Sequence, residues 1–386
     1  MTHLLETVTN HRRQLHQIPE LSFNEYKTTD YIRSTLRDLC VPYLTPLDTA
    51  TVVFFEGTSK AEETIGFRAD IDALPIQEET DLPFASTHQG AMHACGHDGH
   101  TSMLLTFAEW CKEQQDKGLL KKNVLLIFQP SEESNAGADA LIQAFPFENY
   151  HVKEIYGLHL GPDIPEGTLA TRPGFLMASA TEYRIKVKGL SAHVAQKEKG
   201  FSALGAVTHI ASQLSHVQHY FLNGLHQNIL HIGKMQAGEA INTVATDGYI
   251  QGTIRTYDPN DLNHIQDKME TIVASTDALH RTSTTLEFAK GYPAVHNDES
   301  LIETVKESAD QADLQLELLD APYLFGEDFS FYSAVAKTNF AFLGVRNEDK
   351  GHIHGLHTSL FNFDERILLK GVKYYQSLAQ TLGVIR

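Results

Sequence analysis

Met92-His93-Ala94-Cys95-Gly96-His97-Asp98-Gly99-His100 places three imidazoles, one thiol and one carboxylate within nine residues, punctuated by two glycines. Imidazole nitrogen and thiolate sulfur are the ligands that Zn²⁺-like cations prefer. Glycine permits a backbone tight enough to turn side chains two residues apart toward one ion. A Cys-x-His pair cannot complete a site, so further ligands have to come from elsewhere in the chain. The plain alternative is a polar loop with a chance cluster, since 21 of the 386 residues are histidine.

Working outward, Thr64 to Arg68 reads as a strand that runs straight into Ala69-Asp70-Ile71-Asp72-Ala73-Leu74-Pro75. Carboxylates at a strand end lie where open α/β sheets place their ligand crevice, or they serve a turn through local hydrogen bonds. Downstream, Thr101 to Gln114 has helical spacing, with Cys111 on its apolar face as a core residue. Asn123 to Phe128 is a short apolar strand of the buried kind, followed at once by Gln129-Pro130-Ser131-Glu132-Glu133. Ile155 to Leu160 is another, ending with His159. Three strand ends therefore bring Asp70 and Asp72, Glu132 and Glu133, and His159 toward one sheet edge. Ahead of these lie helices over Leu4 to His16 and Asn24 to Leu39, and a strand over Thr51 to Phe55. Arg12, Arg13 and His16 read as the solvated face of the first helix.

The pattern changes after about residue 176. Thr181 to Val187 alternates polar and apolar residues as a half-buried strand does. A helix over Ser202 to Phe221, strands Ile229 to Ile232 and Tyr249 to Arg255, and a helix over Asp261 to Leu279 follow. This β-α-β-β-α order suits a small α+β layer inserted into a larger α/β domain. Helix and strand alternation resumes after Pro293, with Leu301 to Ala312, Phe340 to Val345 and a final helix from about Asp364.

Composition narrows the partners. With 42% hydrophobic and 21% charged residues, the chain suits a globular protein of roughly two domains. A formal net charge of −18 without any Lys/Arg-rich block makes nucleic acid and anionic membrane poor partners, while favouring divalent cations. The three cysteines, Cys40, Cys95 and Cys111, do not form a disulfide framework and suit a reducing compartment. Met1 to Gln17 is polar, and no apolar run approaches the roughly 18 residues a membrane span requires; a cytoplasmic location is expected.

In this order, RADIDALPIQEET, MHACGHDGH, QPSEE, GLHLGP, SAHVA, GTIRT, FGEDFSFY and GLHTS resemble the M20 metallopeptidase and amidohydrolase family. The likeness is greatest to its subgroup D of aminoacylases, hippurate hydrolases and N-acetyldiaminopimelate deacetylases, and it runs from Arg13 to the last helix. Ile232-Gly233-Lys234-Met235 with Gly252-Thr253-Ile254-Arg255-Thr256 looks most like the diaminopimelate deacetylase branch, a reading that would place the chain in lysine biosynthesis. The resemblance implies a catalytic metal-binding domain over 1–176 and 290–386, with a mixed sheet flanked by helices. It implies an inserted α+β lid and dimerisation domain over 177–289.

It implies two divalent ions per subunit (Zn, Mn, Ni or Co), held by Cys95, His97, Glu133, His159 and His357. Glu132 matches the general base and Asp72 a carboxylate that holds a ligand or the cluster loop in place. His193 matches a histidine that reaches a partner subunit's site in a homodimer and stabilises the oxyanion. Asn242, Arg255 and Gly326 fall at substrate-contacting positions, Arg255 being the natural partner of a carboxylate. His352 and His354 lie outside the motif and read as loop histidines. One departure stands out. The family usually has Gly-Gly-His-Ala-Ala followed by Pro-His, and Ser191-Ala192-His193-Val194-Ala195-Gln196-Lys197 lacks the second histidine, which points to an altered pocket. The expected activity is removal of an acyl group, acetyl foremost, from a small N-acyl amino acid such as N-acetyl-diaminopimelate. The alternatives are a broader aminoacylase, hippurate hydrolase or dipeptidase, and a metal-binding homologue that keeps only the fold; an intact Glu132 argues against the last.

Overall fold

The computed structural model describes residues 2–58 and 63–385. In chain order the helices and strands are α1 (Thr2–His16), α2 (Tyr26–Asp38), β1 (Thr51–Phe55), β2 (Thr64–Asp70), α3 (His97–Asp116), β3 (Asn123–Gln129), α4 (Gly137–Ala144), β4 (Val152–Pro165), β5 (Thr168–Thr171) and β6 (Gly174–Met177). These are followed by β7 (Thr181–Lys188), α5 (Ala203–Tyr220), β8 (Ile229–Ala237), β9 (Asp247–Arg255), α6 (Pro259–His280) and β10 (Ser283–Phe288). The last are β11 (Val295–Asn297), α7 (Ile302–Gln311), β12 (Gln315–Leu318), β13 (Lys337–Arg346) and α8 (Arg366–Thr381). The chain divides into two units. Residues 1–176, 296–321 and 328–386 form the first, and residues 177–295 with 322–327 form the second.

The first unit is built on a mixed sheet in the order β1-β3-β2-β4-β13-β5-β12. β3, β2, β4 and β13 run parallel, while β1 and β5 pair antiparallel with their neighbours β3 and β13. Parallel strands are covered on both faces and so read as unbroken apolar runs; Val124 to Gln129 and all of β2 are buried. The register sets Asp70 beside Gln129 and Arg68 beside Gly157. The ends of β2 and β3 and the His159 level of β4 therefore lie along one edge. α3 packs on β2 and against α1 and α8, with Phe107 and Tyr375 set edge-on to Phe67 at centroid distances of 4.7 and 5.4 Å.

Two features depart from the sequence reading. α3 begins at His97 rather than Thr101, because Gly96 takes the left-handed φ of 83° and turns the chain directly into the helix. A Cβ at Gly96 would lie 2.9 Å from Leu160 Cδ1, so glycine serves both backbone conformation and space there. The second departure is a correction. Arg12 and His16 are not a solvated face: each is 1% exposed, and both pair with Asp98 in the first turn of α3. Only Arg13 is exposed, reaching Glu365.

The second unit carries the antiparallel sheet β10-β7-β9-β8. β7 alternates strictly, with Tyr183, Ile185 and Val187 turned inward and Glu182, Arg184 and Lys186 outward. Its core is completed by Val207, Ile210 and Leu214 of α5 and by Ile265 and Met269 of α6. Side chains cap both helices: Ser202 Oγ accepts from Gly205 N–H at 3.1 Å, and Asp258 Oδ1 from Asn260 N–H at 2.8 Å. β10 extends the anticipated β-α-β-β-α order by a strand. Among the described residues no helix is long and apolar enough to cross a membrane.

Candidate metal centre and active site

The turn after β3 is held from outside. Asp72 lies just beyond β2 and spreads its carboxylate over the turn, Oδ1 accepting from Glu132 N–H at 3.1 Å and Oδ2 from Glu133 N–H at 3.0 Å. Ser131 adopts a left-handed φ of 58°, and its N–H donates to Glu25 Oε1 at 2.9 Å. Gly137 closes the turn by donating its N–H to Ser131 O at 3.0 Å. A Cβ at residue 137 would fall 1.8 Å from Pro130 O, so only glycine fits. Glu132 Oε1 accepts from Asp328 N–H at 3.4 Å, which brings Asp328 to the QPSEE turn.

The same Asp72 orients His97, whose Nδ1–H donates to the Asp72 main-chain oxygen at 2.9 Å. This leaves the Nε2 of His97 facing Glu133 Oε1 at 3.8 Å and Asp70 Oδ2 at 3.7 Å. His159 donates Nδ1–H to Leu160 O at 2.8 Å, so its Nε2 lone pair faces Cys95 Sγ at 3.4 Å. His357 has a left-handed φ of 59°, donates its N–H to Ala94 O and brings Nε2 to 3.3 Å from Glu133 Oε1. Cys95, Glu133 and His357 form one group of converging donor atoms and His97, Glu132 and Glu133 another, while His97 and His159 meet in a third with Asp70 and His100.

These donor atoms suit divalent cations. His97 Nε2 and Glu133 Oε1 are buried without a hydrogen-bond partner, an arrangement that a positive ion between them would satisfy. Burial opposes charge on His97, yet Asp70, Asp72 and Glu133 push its pKa up to about 10. Burial, then Glu133, Glu132 and Asp70, pushes the Cys95 thiol well above its usual range. Burial and the neighbouring His100 hold His159 well below, in the neutral form. Such a site is rich in anionic charge and holds protons that a dication would release on binding.

His100 is excluded from the ligands by its own bonds. Its Nδ1–H donates to Asp70 Oδ1 at 2.6 Å and its Nε2 accepts from Leu160 N–H at 2.9 Å, so both ring nitrogens are engaged. His93 is buried and belongs to none of the donor groups among the described residues. His352 and His354 also stand outside those groups. Sequence reasoning passed over Arg68, which donates to Asp70 at 2.7 Å and to Asp328 at 2.9 Å. It also passed over Glu25. The signal for Arg68 was present, since a charged residue inside an apolar parallel strand needs buried partners.

The remaining residues singled out in the sequence lie in the second unit. His193 Nδ1 accepts from Ala195 N–H at 3.1 Å, which puts the ring proton on Nε2. Asn242 is its neighbour, with Val194 N–H donating to Asn242 O at 3.0 Å. Arg255 and Gly326 also adjoin, because a Cβ at 326 would meet Arg255 Nη1 at 3.3 Å. Burial lowers the pKa of Arg255, with Glu182 and Tyr292 as its electrostatic neighbours.

Residues 66–381 match the model of peptidase family M20/M25/M40. An uncharacterized hydrolase of Staphylococcus haemolyticus (strain JCSC1435) is 49% identical over 380 residues, covering 98% of this chain and 99% of its own. Among solved structures, an aminohydrolase from methicillin-resistant Staphylococcus aureus superposes with a TM-score of 0.92 at 28% identity, covering 98% of this chain and 97% of that one. The Bacillus subtilis YXEP protein, described as a dinuclear metal-binding peptidase of the M20 family, gives a TM-score of 0.84 at 31% identity, with 98% of each chain covered. With a fold shared over nearly its full length and a family match spanning most of the sequence, the chain belongs to the M20 peptidase family and is a hydrolase of amide bonds.

Proposed function

We propose that the protein is a dinuclear metal amidohydrolase that removes an acyl group, acetyl foremost, from an N-acyl amino acid, with N-acetyl-diaminopimelate the first substrate to test. The observation that carries the reading is the pairing of Glu132 and Glu133 on one turn under the carboxylate of Asp72. Both glutamates lie among the converging donor atoms; Glu133 would hold the ions and Glu132 would carry the proton. Cys95, His97, Glu133, His159 and His357 are the residues that would hold the ions, and the dinuclear description of the Bacillus subtilis relative supports a pair. When bound, the cations supply Lewis acidity toward the scissile carbonyl and toward water. Glu132 takes the proton of the attacking water and passes it to the departing amine nitrogen. Asp72 keeps Glu132, Glu133 and His97 in register.

In the second unit, His193 carries its proton on Nε2, the form that donates to a developing oxyanion. Among the described residues the Arg255 guanidinium has only the electrostatic neighbours Glu182 and Tyr292, which supports the grip of a substrate carboxylate over a structural ion pair. Gly326 lets the guanidinium pack close to the backbone, since a Cβ there would meet Arg255 Nη1 at 3.3 Å, and Asn242 adjoins His193. We also assign residues 177–289 the role of a lid and dimerisation domain, with His193 serving the partner subunit of a homodimer.

The test is a panel of N-acetyl, N-benzoyl and dipeptide substrates, N-acetyl-diaminopimelate included, assayed with Mn²⁺, Co²⁺, Ni²⁺ and Zn²⁺. Glu132→Gln should keep its metal and lose about 10²- to 10⁴-fold in kcat. A fully metallated protein that turns over no N-acyl amino acid refutes the substrate class. Near-normal turnover by Glu132→Gln removes that residue from the mechanism.

A further inference from the structure

Three consecutive backbone N–H groups are each taken by a carboxylate oxygen: Ser131 by Glu25 Oε1 at 2.9 Å, Glu132 by Asp72 Oδ1 at 3.1 Å and Glu133 by Asp72 Oδ2 at 3.0 Å. Successive N–H groups around a left-handed residue form a concave anion site, and here the anions belong to the protein itself. Ser131 has the left-handed φ of 58°, a conformation unfavourable for an L-residue. The turn therefore needs an outside hold, and the Ser22–Glu25 segment provides it at two points. Glu25 Oε1 accepts from Ser131 N–H and also from Phe23 N–H at 2.9 Å, Phe23 being left-handed as well at φ 57°. Ser22 Oγ donates to Asp72 Oδ2 at 2.8 Å, bracing the second carboxylate.

We propose that Ser22–Glu25 is a positioning clamp for the catalytic turn. Glu25 acts through Ser131, and Ser22 acts through Asp72, to fix the directions in which the Glu132 and Glu133 side chains leave the backbone. This rests on the roles assigned above to those two glutamates. Glu25 is fully buried and its Oε2 has no hydrogen-bond partner. Burial, then the charge of Asp72, pushes its pKa up to about 7. Glutamine keeps an Oε1 that can accept from both N–H groups, whereas alanine leaves the Phe23 and Ser131 N–H groups without that acceptor.

The experiment uses the full-length, metal-loaded enzyme and an N-acetyl amino acid that the unaltered protein hydrolyses. Glu25→Gln should stay within about threefold of the parent kcat. Glu25→Ala should lose about 5- to 100-fold in kcat, the range set by leaving a buried N–H unsatisfied, with KM moved less than about threefold. Chelator competition without substrate should show weaker Zn²⁺ binding in Glu25→Ala and parental binding in Glu25→Gln. Parental kcat and Zn²⁺ affinity in Glu25→Ala overturn the clamp, as does equal damage in both variants. If Glu25→Ala does not fold, Ser22→Ala decides: about a fivefold loss of kcat supports the clamp, and unchanged kcat and affinity refute it. Including Glu132→Gln separates the two readings. If that variant remains active, the role of Glu132 fails, and the clamp is judged on Zn²⁺ affinity alone.

Discussion

Replacing Arg12 with methionine isolates a charge that the helical pattern of α1 places on the outside and the structure buries. Arg12 Nε lies 3.3 Å from Asp98 Oδ2, Nη2 donates to Asn362 Oδ1 at 2.9 Å, and the guanidinium carbon stands 3.9 Å from the centre of the Phe363 ring. Asp98 is 1% exposed, and without Arg12 its remaining ionic partner is His16, whose Nδ1 is 2.8 Å from Oδ2. Methionine keeps most of the apolar stem, so the loss is chiefly that of one of the two ionic partners of a buried carboxylate, at most about 3–5 kcal/mol. For a unit of this size that corresponds to a fall in Tm of roughly 6–20 °C. Thermal unfolding followed by circular dichroism, with and without chelator, measures it. Adding Asp98→Asn to Arg12→Met removes the stranded charge and should recover part of the loss. A Tm change below about 2 °C for Arg12→Met, or a double variant worse by the full sum of both single changes, would show that the buried pair is not what holds α1 to α3.

Three further outcomes are expected. The pKa of Glu25 stands raised from 4.5 to about 7 in the folded protein, so the folded state holds this proton while the unfolded chain loses it. Stability should therefore drop by about 3 kcal/mol as pH rises through that window; urea titrations at several pH values should show the slope, and Glu25→Gln should flatten it. Arg255→Lys should raise KM strongly for free N-acyl amino acids and far less for their methyl amides, and equal damage to both would leave Arg255 as a structural residue. Mixing inactive His193→Ala with inactive Glu132→Gln protein should restore part of the activity by subunit exchange, and verified exchange without recovery would place His193 in its own subunit's chemistry or in none.

The amino-acid sequence by itself determined the α/β class, most of the strands and helices, and the short segments that carry the site. The physical reason is local. Parallel strands buried on both faces are continuous apolar runs, and the polar residues just past their ends are forced onto one sheet edge. Asp70, Asp72, Glu132, Glu133 and His159 are therefore legible as a group before any contact is known. β5 and β12, at four residues each, and β10, with its alternating exposed positions, carry too little apolar pattern to stand out.

Only the tertiary structure decided what each polar group faces. Helical periodicity marks the apolar side of α1 but does not tell that Asp98 and Phe363 cover the other side, so Arg12 and His16 are buried against expectation. The left-handed Ser131, Phe23 and His357 have no glycine to announce them, because their conformations are imposed by distant partners. His100 and His97 stand three residues apart on one helix. The difference between them is that Leu160 N–H occupies the Nε2 of His100, while the Nε2 of His97 is left facing Glu133 and Asp70. A contact between residues 60 positions apart is set by the packing of α3 against β4, and neither composition nor spacing encodes which nitrogen it will claim.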